Sequence, residues 1–264
     1  MLGGSALLAL LLCLSAHASQ QPPAEPGASG DSWRQLAEQG YAFAQVNLGM
    51  SYAAGQAGVA QNYPEAVRWF RKAAAQNNAV AQFELGILYA GGFGVEKDPV
   101  EAARWYRKAA EQGNAAAEFY LGNLYGTGVG VVKDESEAAR WHIKAAEHGS
   151  EAAMIALGIS YGLGRGVPQD QAKALHWFST CAERGNAMAQ FRLANMYAAG
   201  RGVEQDYVAA YTWMKIGSLR AGDRFQPKPF SDALARFAAN MTPQQIAEAQ
   251  RAANEWKPKL NSAK

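Results

Sequence analysis

Apolar residues recur along this chain at the spacing of helix faces, in short segments separated by glycine-rich turns. Between residues 79 and 114, Ala81, Leu85 and Leu88 form the apolar stripe of one predicted helix. A second stripe follows after the glycines and consists of Ala102, Trp105, Tyr106, Ala109 and Ala110. The pattern therefore predicts two helices joined by a short turn.

Polar residues mark where the second of these helices begins and ends. Asp98 is suited to cap its first turn, Pro99 fits the first helical position, and Glu101 follows at the spacing of a capping box. The same cap-to-glutamate spacing occurs at Asn62/Glu65 and Asp134/Glu137. Gly113 follows the helix and is expected to adopt the left-handed conformation that ends it.

The helix pair repeats at a fixed period, since tryptophans occur every thirty-six residues at Trp69, Trp105, Trp141, Trp177 and Trp213. A constant period of this length is typical of a solenoid, in which each unit buries its apolar face against its neighbours. We therefore predict an all-α fold, an α/α superhelical solenoid of helix-turn-helix repeats with helical caps. The predicted repeats are 42–78, 79–114, 115–150, 151–186 and 187–222.

Alanine lies three residues before each tryptophan, and we expect it to let adjacent helices approach while the indole fills the space above. Residues 32–41 are predicted to form an N-terminal capping helix, and residues 223–264 a C-terminal helical cap. The cap is expected to contain helices at about 231–240 and 243–256, the second of them starting with a capping box between Thr242 and Gln245.

The N-terminus has the features of an export signal. Residues 2–15 are apolar and are followed by Ala16-His17-Ala18, so residues 1–18 are predicted to be a signal peptide cleaved before Ser19. Residues 19–31 would form a flexible leader. The apolar run is shorter than the roughly 20 residues that span a bilayer, so no integral membrane segment is expected after cleavage. The predicted location is periplasmic or secreted.

Charge and the chemistry of single residues narrow the function further. The net charge is only +2, which gives no reason to expect a nucleic-acid partner. Arginines and lysines on the second helices form a basic stripe, but glutamates three residues before an arginine are expected to pair with it. A solvated face is therefore expected, and weak contact with an anionic surface is the alternative. Cys181 occupies a small-residue position and is expected to be a buried apolar side chain.

No catalytic, cofactor or metal motif emerges from the sequence. The glycine-rich stretch 126–130 lies between two predicted helices and lacks the Lys-Ser/Thr of a phosphate-binding loop. His142, His148 and His176 form no paired metal-ligand spacing. We therefore predict no cofactor, no metal and no enzymatic activity.

The repeated residues AQxxLGxxY, GxGV, and AxxWxxKAAxxG resemble the Sel-1-like repeats, which are related to tetratricopeptide repeats. This resemblance implies a scaffold or adaptor that binds a protein or peptide in the concave groove of its solenoid, in a bacterial cell envelope. A cysteine-rich branch of the family is linked to β-lactam binding or hydrolysis, but the cysteine pairs are missing here. A cell-wall-directed or β-lactam hydrolase is thus the alternative function.

In related superhelices the first helix of each repeat lines the concave face. Two positions on these helices vary between repeats while the surrounding frame stays constant, and they lie three residues apart on one helical face. An aromatic ring, amides and a cation at these positions would suit an extended peptide with an acidic group. The predicted partner-binding residues are Asn47, Met50, Glu84, Ile87, Tyr120, Asn123, Ile159, Arg192 and Asn195.

Overall fold

The computed structural model describes residues 30–221 and 228–259, with side chains from residue 33 onward. This part of the chain contains α-helices and no strand, so the predicted all-α repeat solenoid is confirmed. The helices are α1 (Gly30–Glu38), α2 (Ala42–Ala54), α3 (Tyr63–Ala75), α4 (Ala79–Gly91), α5 (Pro99–Ala110), α6 (Ala115–Thr127), α7 (Glu135–Glu147), α8 (Glu151–Leu163), α9 (Gln171–Glu183), α10 (Ala187–Ala199), α11 (Tyr207–Ala221), α12 (Lys228–Ala238) and α13 (Pro243–Glu255).

The helices form two compact units. The first ends at Lys133 and contains α1 to α6, and the second begins at Asp134 and contains α7 to α13. From α1 to α6 and from α7 to α12, helices that follow each other in the chain pack together, and α13 packs against α11. Each unit is thus a stack of helix pairs in which every pair buries its apolar face against the next one.

Side-chain caps define the helix ends, as the polar residues predicted. The carboxylate of Asp98 accepts hydrogen bonds from the backbone N–H groups of Val100 and Glu101, and Asn62 and Asp134 cap their helices in the same way. Gly113 has a φ of 79°, in the left-handed region where glycine is favoured. The capping box of Thr242 and Gln245 at the start of α13 is also present.

A glycine on the first helix of a pair faces an aromatic ring on the second helix. A methyl group on Gly86 would lie 2.5 Å from the ring of Tyr106, and one on Gly158 would lie 2.5 Å from the ring of Phe178. In the same way, a methyl group on Gly49 would lie 2.7 Å from the ring of Phe70. The rings therefore lie directly on the helix backbone, in space that only glycine leaves open.

The tryptophans lie at the edge of this core. Trp69 and Trp141 are buried, whereas Trp105, Trp177 and Trp213 are half-buried. The ammonium group of Lys72 lies 3.9 Å from the ring centroid of Trp69, and Lys108 and Lys144 cover Trp105 and Trp141 at 4.3 Å. The alanines three residues earlier are buried, as predicted, but Phe70, Tyr106 and Phe178, each one position after a tryptophan, make the tight contact with the neighbouring helix.

Polar links join successive repeats in the first unit. The guanidinium of Arg71 donates to the hydroxyl of Tyr89 at 2.6 Å, and Arg107 bonds to Tyr125 in the same way one repeat later. Arg34 on α1 donates to Tyr52 at 2.7 Å with the same separation of 18 residues. The lone helix α1 therefore stands in the register of a second helix and packs on the first complete repeat.

The C-terminal helices cover the last repeat. Trp256 meets Trp213 edge to face with ring centroids 5.9 Å apart, and the guanidinium of Arg220 lies 4.7 Å from the ring of Trp256. The backbone N–H of Lys259 donates to the carbonyl of Glu183 at 2.8 Å. The half-buried indole of the fifth repeat is thus covered by residues that follow α13.

Within residues 30–221 and 228–259, no helix has both the length and the apolar character needed to cross a bilayer. The predicted signal peptide and cleavage position lie outside the described residues.

We expect the contact between Gly158 and Phe178 to determine the stability of its helix pair. Gly158→Ala should lower the free energy of unfolding by about 1–2 kcal/mol, because overpacking costs ~1–3 kcal/mol and helix propensity returns up to ~1 kcal/mol. Gly162→Ala on the same helix is the matched control. It should be neutral or stabilising, since its methyl group would lie 3.8 Å from the nearest atom, the Cβ of Ala174. Urea unfolding followed by circular dichroism measures both.

A double variant tests the cause of the loss. Gly158→Ala with Phe178→Met copies the fifth repeat, where buried Ala194 and Met214 occupy the same two positions. It should recover more than half of the stability lost in Gly158→Ala. If the two glycine variants are equally stable, the ring contact does not have this role.

Candidate functional site

The nine predicted binding residues all lie on the first helices of the repeats, and the two units hold different shares of them. Six are on α2, α4 and α6 of the first unit, and three are on α8 and α10 of the second unit. The two sets differ in how exposed their side chains are.

In the first unit, α4 does not present its two residues to a partner. Glu84 is 3% exposed and Ile87 is 5% exposed, so the expectation that they form part of a surface strip is wrong. Variation between repeats at these positions reflects different interior packing, because a position that faces the core in one repeat is surface in another. Burial removes water from the carboxyl of Glu84 and raises its pKa to about 8.

The remaining four residues of the first unit are half-buried. The side-chain amide of Asn47 donates to the carbonyl of Phe43 at 2.9 Å, and Met50 packs against the hydrophobic core. Tyr120 stacks on Tyr106 with ring centroids 5.4 Å apart, so one face of the predicted aromatic platform is already occupied. Asn123 lies on the same helix.

In the second unit, the three predicted residues meet in one groove. Ile159 of α8 and Arg192 and Asn195 of α10 line a cavity of about 370 Å³. Phe178 and Ala174 of α9 form its floor. The groove is thus built from two successive first helices and the second helix that lies between them in the chain.

Glycines on α8 keep this groove open. Gly158 lies against the ring of Phe178, and a methyl group on Gly162 would meet only the Cβ of Ala174, at 3.8 Å. The carbonyl of Gly162 accepts hydrogen bonds from the amides of Gln169 and Gln171, each at 2.9 Å. The backbone of α8 is therefore exposed to the groove and held by side-chain amides from the following loop and helix.

Two arginines give the groove its charge. The guanidinium carbon of Arg192 lies 6.0 Å from the ring centroid of Phe178, and Arg201 lines the groove from the loop after α10. In the part of the chain that the structure describes, neither arginine pairs with a carboxylate, whereas Arg140 on α7 pairs with Glu137 at 3.2 Å. No aspartate or glutamate lines the groove. It is consequently positive and apolar.

The groove has binding groups but not the groups of acid–base or nucleophilic catalysis. Its lining contains no carboxylate, imidazole, thiol or hydroxyl. Among the described residues, no cluster of three or more His, Cys, Asp or Glu side chains is arranged to hold a metal ion. The arrangement is suited to holding a ligand by apolar contact, amide hydrogen bonds and charge.

The sequence pattern did not identify the groove residues that lie outside the first helices. Phe178 and Gln171 come from α9, and Arg201 comes from a loop. Arg201 was nevertheless detectable by the same criterion of variation, because its column in the repeat reads Phe93, Val129, Arg165 and Arg201. The prediction followed one helix face, whereas three neighbouring elements build the groove.

Cys181 is buried and free, which confirms its prediction as a small interior side chain. Burial raises the pKa of its thiol to about 12, and Glu151 adds to the effect while Arg184 opposes it. The thiol is therefore protonated at neutral pH.

The basic stripe on the second helices is exposed and locally neutralised. Glu65, Glu101 and Glu137 lie 3.4, 3.2 and 3.2 Å from arginines three residues later, as predicted. Exposed pairs of this kind contribute little stability, but they reduce the net positive charge of the face.

Comparison with known proteins agrees with this repeat geometry. The model of the Sel1 repeat matches residues 42–78, 79–114, 115–150, 151–186 and 187–220. The chain belongs to the Sel1 repeat family. No protein with a curated description matches the sequence of this Sel1 repeat protein.

Solved structures of other Sel1 repeat proteins share its fold. A Sel1 repeat protein from Oxalobacter formigenes is 32% identical with a TM-score of 0.69, and the match covers 86% of this chain and 98% of the other. A protective antigen present in uropathogenic Escherichia coli strains, which displays an SLR fold, is 30% identical with a TM-score of 0.53. That match covers 86% of this chain and 55% of the antigen.

We expect Glu84 to make the stability of the first unit depend on pH. The pKa of its carboxyl is about 8 in the folded protein against 4.5 when solvated, so between these values only the unfolded chain releases the proton. Stability should therefore fall by about 1.4 kcal/mol for each pH unit in this window and level off above it. Glu84→Gln should abolish this fall.

Urea unfolding at pH 5 and pH 7.5 provides the measurement, and Glu111→Gln, an exposed residue at the end of α5, is the matched control. The difference in stability between the two pH values should shrink in Glu84→Gln and stay unchanged in Glu111→Gln. A Glu84→Gln protein with the same pH dependence as the original would contradict the assignment.

Proposed function

We propose that this Sel1 repeat protein is a non-enzymatic scaffold that binds a segment of another protein on the faces of its first helices. The groove of the second unit is the proposed contact site. A scaffold of this kind holds its partner by many weak contacts along an exposed face.

One observation carries the proposal, namely that Ile159, Arg192 and Asn195 line a single open groove. These residues sit at positions that vary between repeats, and in the second unit the helix frame brings them together with the ring of Phe178. An apolar floor, an amide and a cation are groups that can hold an extended peptide in place. Arg192 is exposed and has no carboxylate partner among the described residues, so its charge is available to a ligand.

The alternative function, a cell-wall-directed or β-lactam hydrolase, requires a nucleophile or an acid–base pair next to the bound substrate. The groove lining supplies neither. Binding without chemistry is the function that these side chains support.

Photocrosslinking in the source bacterium tests the proposal. A photoreactive amino acid at Asn195, inside the groove, should yield a discrete covalent adduct with a partner protein. The same amino acid at Glu147, an exposed residue at the end of α7 in the same unit, should not. Adding Arg192→Ala should reduce the adduct at Asn195 severalfold with unchanged circular dichroism. Equal adducts at both positions, or none at Asn195, would contradict the proposal.

We further propose that the protein acts in the cell envelope or outside the cell, after removal of residues 1–18. The apolar run 2–15 and the Ala16-His17-Ala18 sequence support this location. Mass spectrometry of the protein from fractionated cells should find a mature N-terminus at Ser19 in the periplasm or medium. A cytoplasmic protein that retains residues 1–18 would contradict it.

A further inference from the structure

We infer that the groove of the second unit selects a peptide in which an apolar side chain lies next to a carboxylate. This inference rests on the proposed function and specifies the chemistry of the partner at the contact site. It follows from the charge, the floor and the hydrogen-bonding groups of the groove.

The positive charge of the groove favours an anionic ligand. Arg192 and Arg201 line it without a carboxylate partner among the described residues, and the lining contains no acidic side chain. On the outer face of the same unit, Arg140 is neutralised by Glu137 at 3.2 Å. Two unpaired guanidinium groups beside an apolar surface bind a carboxylate more strongly than they would in bulk water, because the local dielectric constant is lower.

The floor of the groove favours a ligand with an apolar side chain. Phe178, Ala174 and Gly158 form a surface without polar side-chain atoms, and Leu163 at the rim is 58% exposed. The cavity of about 370 Å³ is near the lower end of ligand sites, which measure ~300–1,000 Å³. It is sized for a few residues of an extended segment and not for a packed helix.

The amide oxygens in the groove suit the backbone N–H groups of a peptide. The Nδ2 of Asn195 donates to the carbonyl of Phe191 at 2.7 Å, and the Nε2 of Gln171 donates to the carbonyl of Gly162 at 2.9 Å. Each of these NH2 groups therefore has one of its two N–H donors occupied, and each side-chain oxygen is left as an acceptor. Backbone N–H groups of a peptide match such acceptors, whereas phosphate oxygens do not.

Selection from a random library of 12-residue peptides displayed on phage tests the inference with the full chain immobilised. The original protein should enrich peptides with Asp or Glu adjacent to an aliphatic or aromatic residue. The double variant Arg192→Gln/Arg201→Gln should lose the acidic preference and keep the apolar one. Arg140→Gln, which removes a guanidinium from the outer face, should select the same peptides as the original protein.

Fluorescence anisotropy with one enriched peptide then measures the contribution of the carboxylate. Replacing its acidic residue by the corresponding amide should weaken binding about tenfold, the effect of a charge-assisted hydrogen bond worth ~1.4 kcal/mol. With Arg192→Gln/Arg201→Gln the two peptides should bind equally. Phosphatidylglycerol vesicles serve as the competing anionic surface, and they should not displace the peptide.

Three results would overturn the inference: enriched peptides without acidic residues, an acidic preference that survives in Arg192→Gln/Arg201→Gln, or displacement by the vesicles. Failure to enrich any peptide would also overturn it. The proposed scaffold function is tested separately, because a protein adduct at Asn195 would still support it after any of these results.

Discussion

The contact between the helix backbone at a glycine and a facing aromatic ring is the constraint on which three of the helix pairs depend, at Gly49, Gly86 and Gly158. A methyl group on Gly86 or Gly158 would lie 2.5 Å from the facing ring, so the two helices of a pair are as close as their backbones and one ring allow. Close packing of this kind fixes the distance and rotation of the pair. Every other feature of the repeat, including the loop that connects the helices, is built around this fixed distance.

Polar contacts set how one pair follows the next. In the first unit, Gln76 donates to Gln45 at 2.8 Å and Gln112 donates to Gln82 at 2.6 Å, so the end of each second helix is joined to a buried amide. A buried amide that lacks its hydrogen bond costs free energy, so these bonds favour one register between neighbouring repeats. Apolar packing provides most of the stability, while the amides determine the alignment of neighbouring repeats.

The groove of the second unit arises where this frame carries different side chains. Phe178 makes the same ring contact as Tyr106 in the first unit, where Tyr120 stacks on the ring and Glu84 is buried. In the second unit the column that holds Glu84 and Tyr120 carries Arg192, which leaves the floor accessible beside an exposed cation. A contact that is repeated between helix pairs and the proposed binding surface thus share the ring of Phe178.

The sequence by itself determined the helix pair, its period and its caps, because these depend on local spacing and on residues whose backbone preferences act within a few positions. It also picked out Ile159, Arg192 and Asn195 from variation between repeats. Only the tertiary structure decided that Glu84 and Ile87 are interior and that Phe178 and Arg201 complete the groove. Burial and convergence depend on how neighbouring helices and loops pack against one another, and no single helix face carries that information.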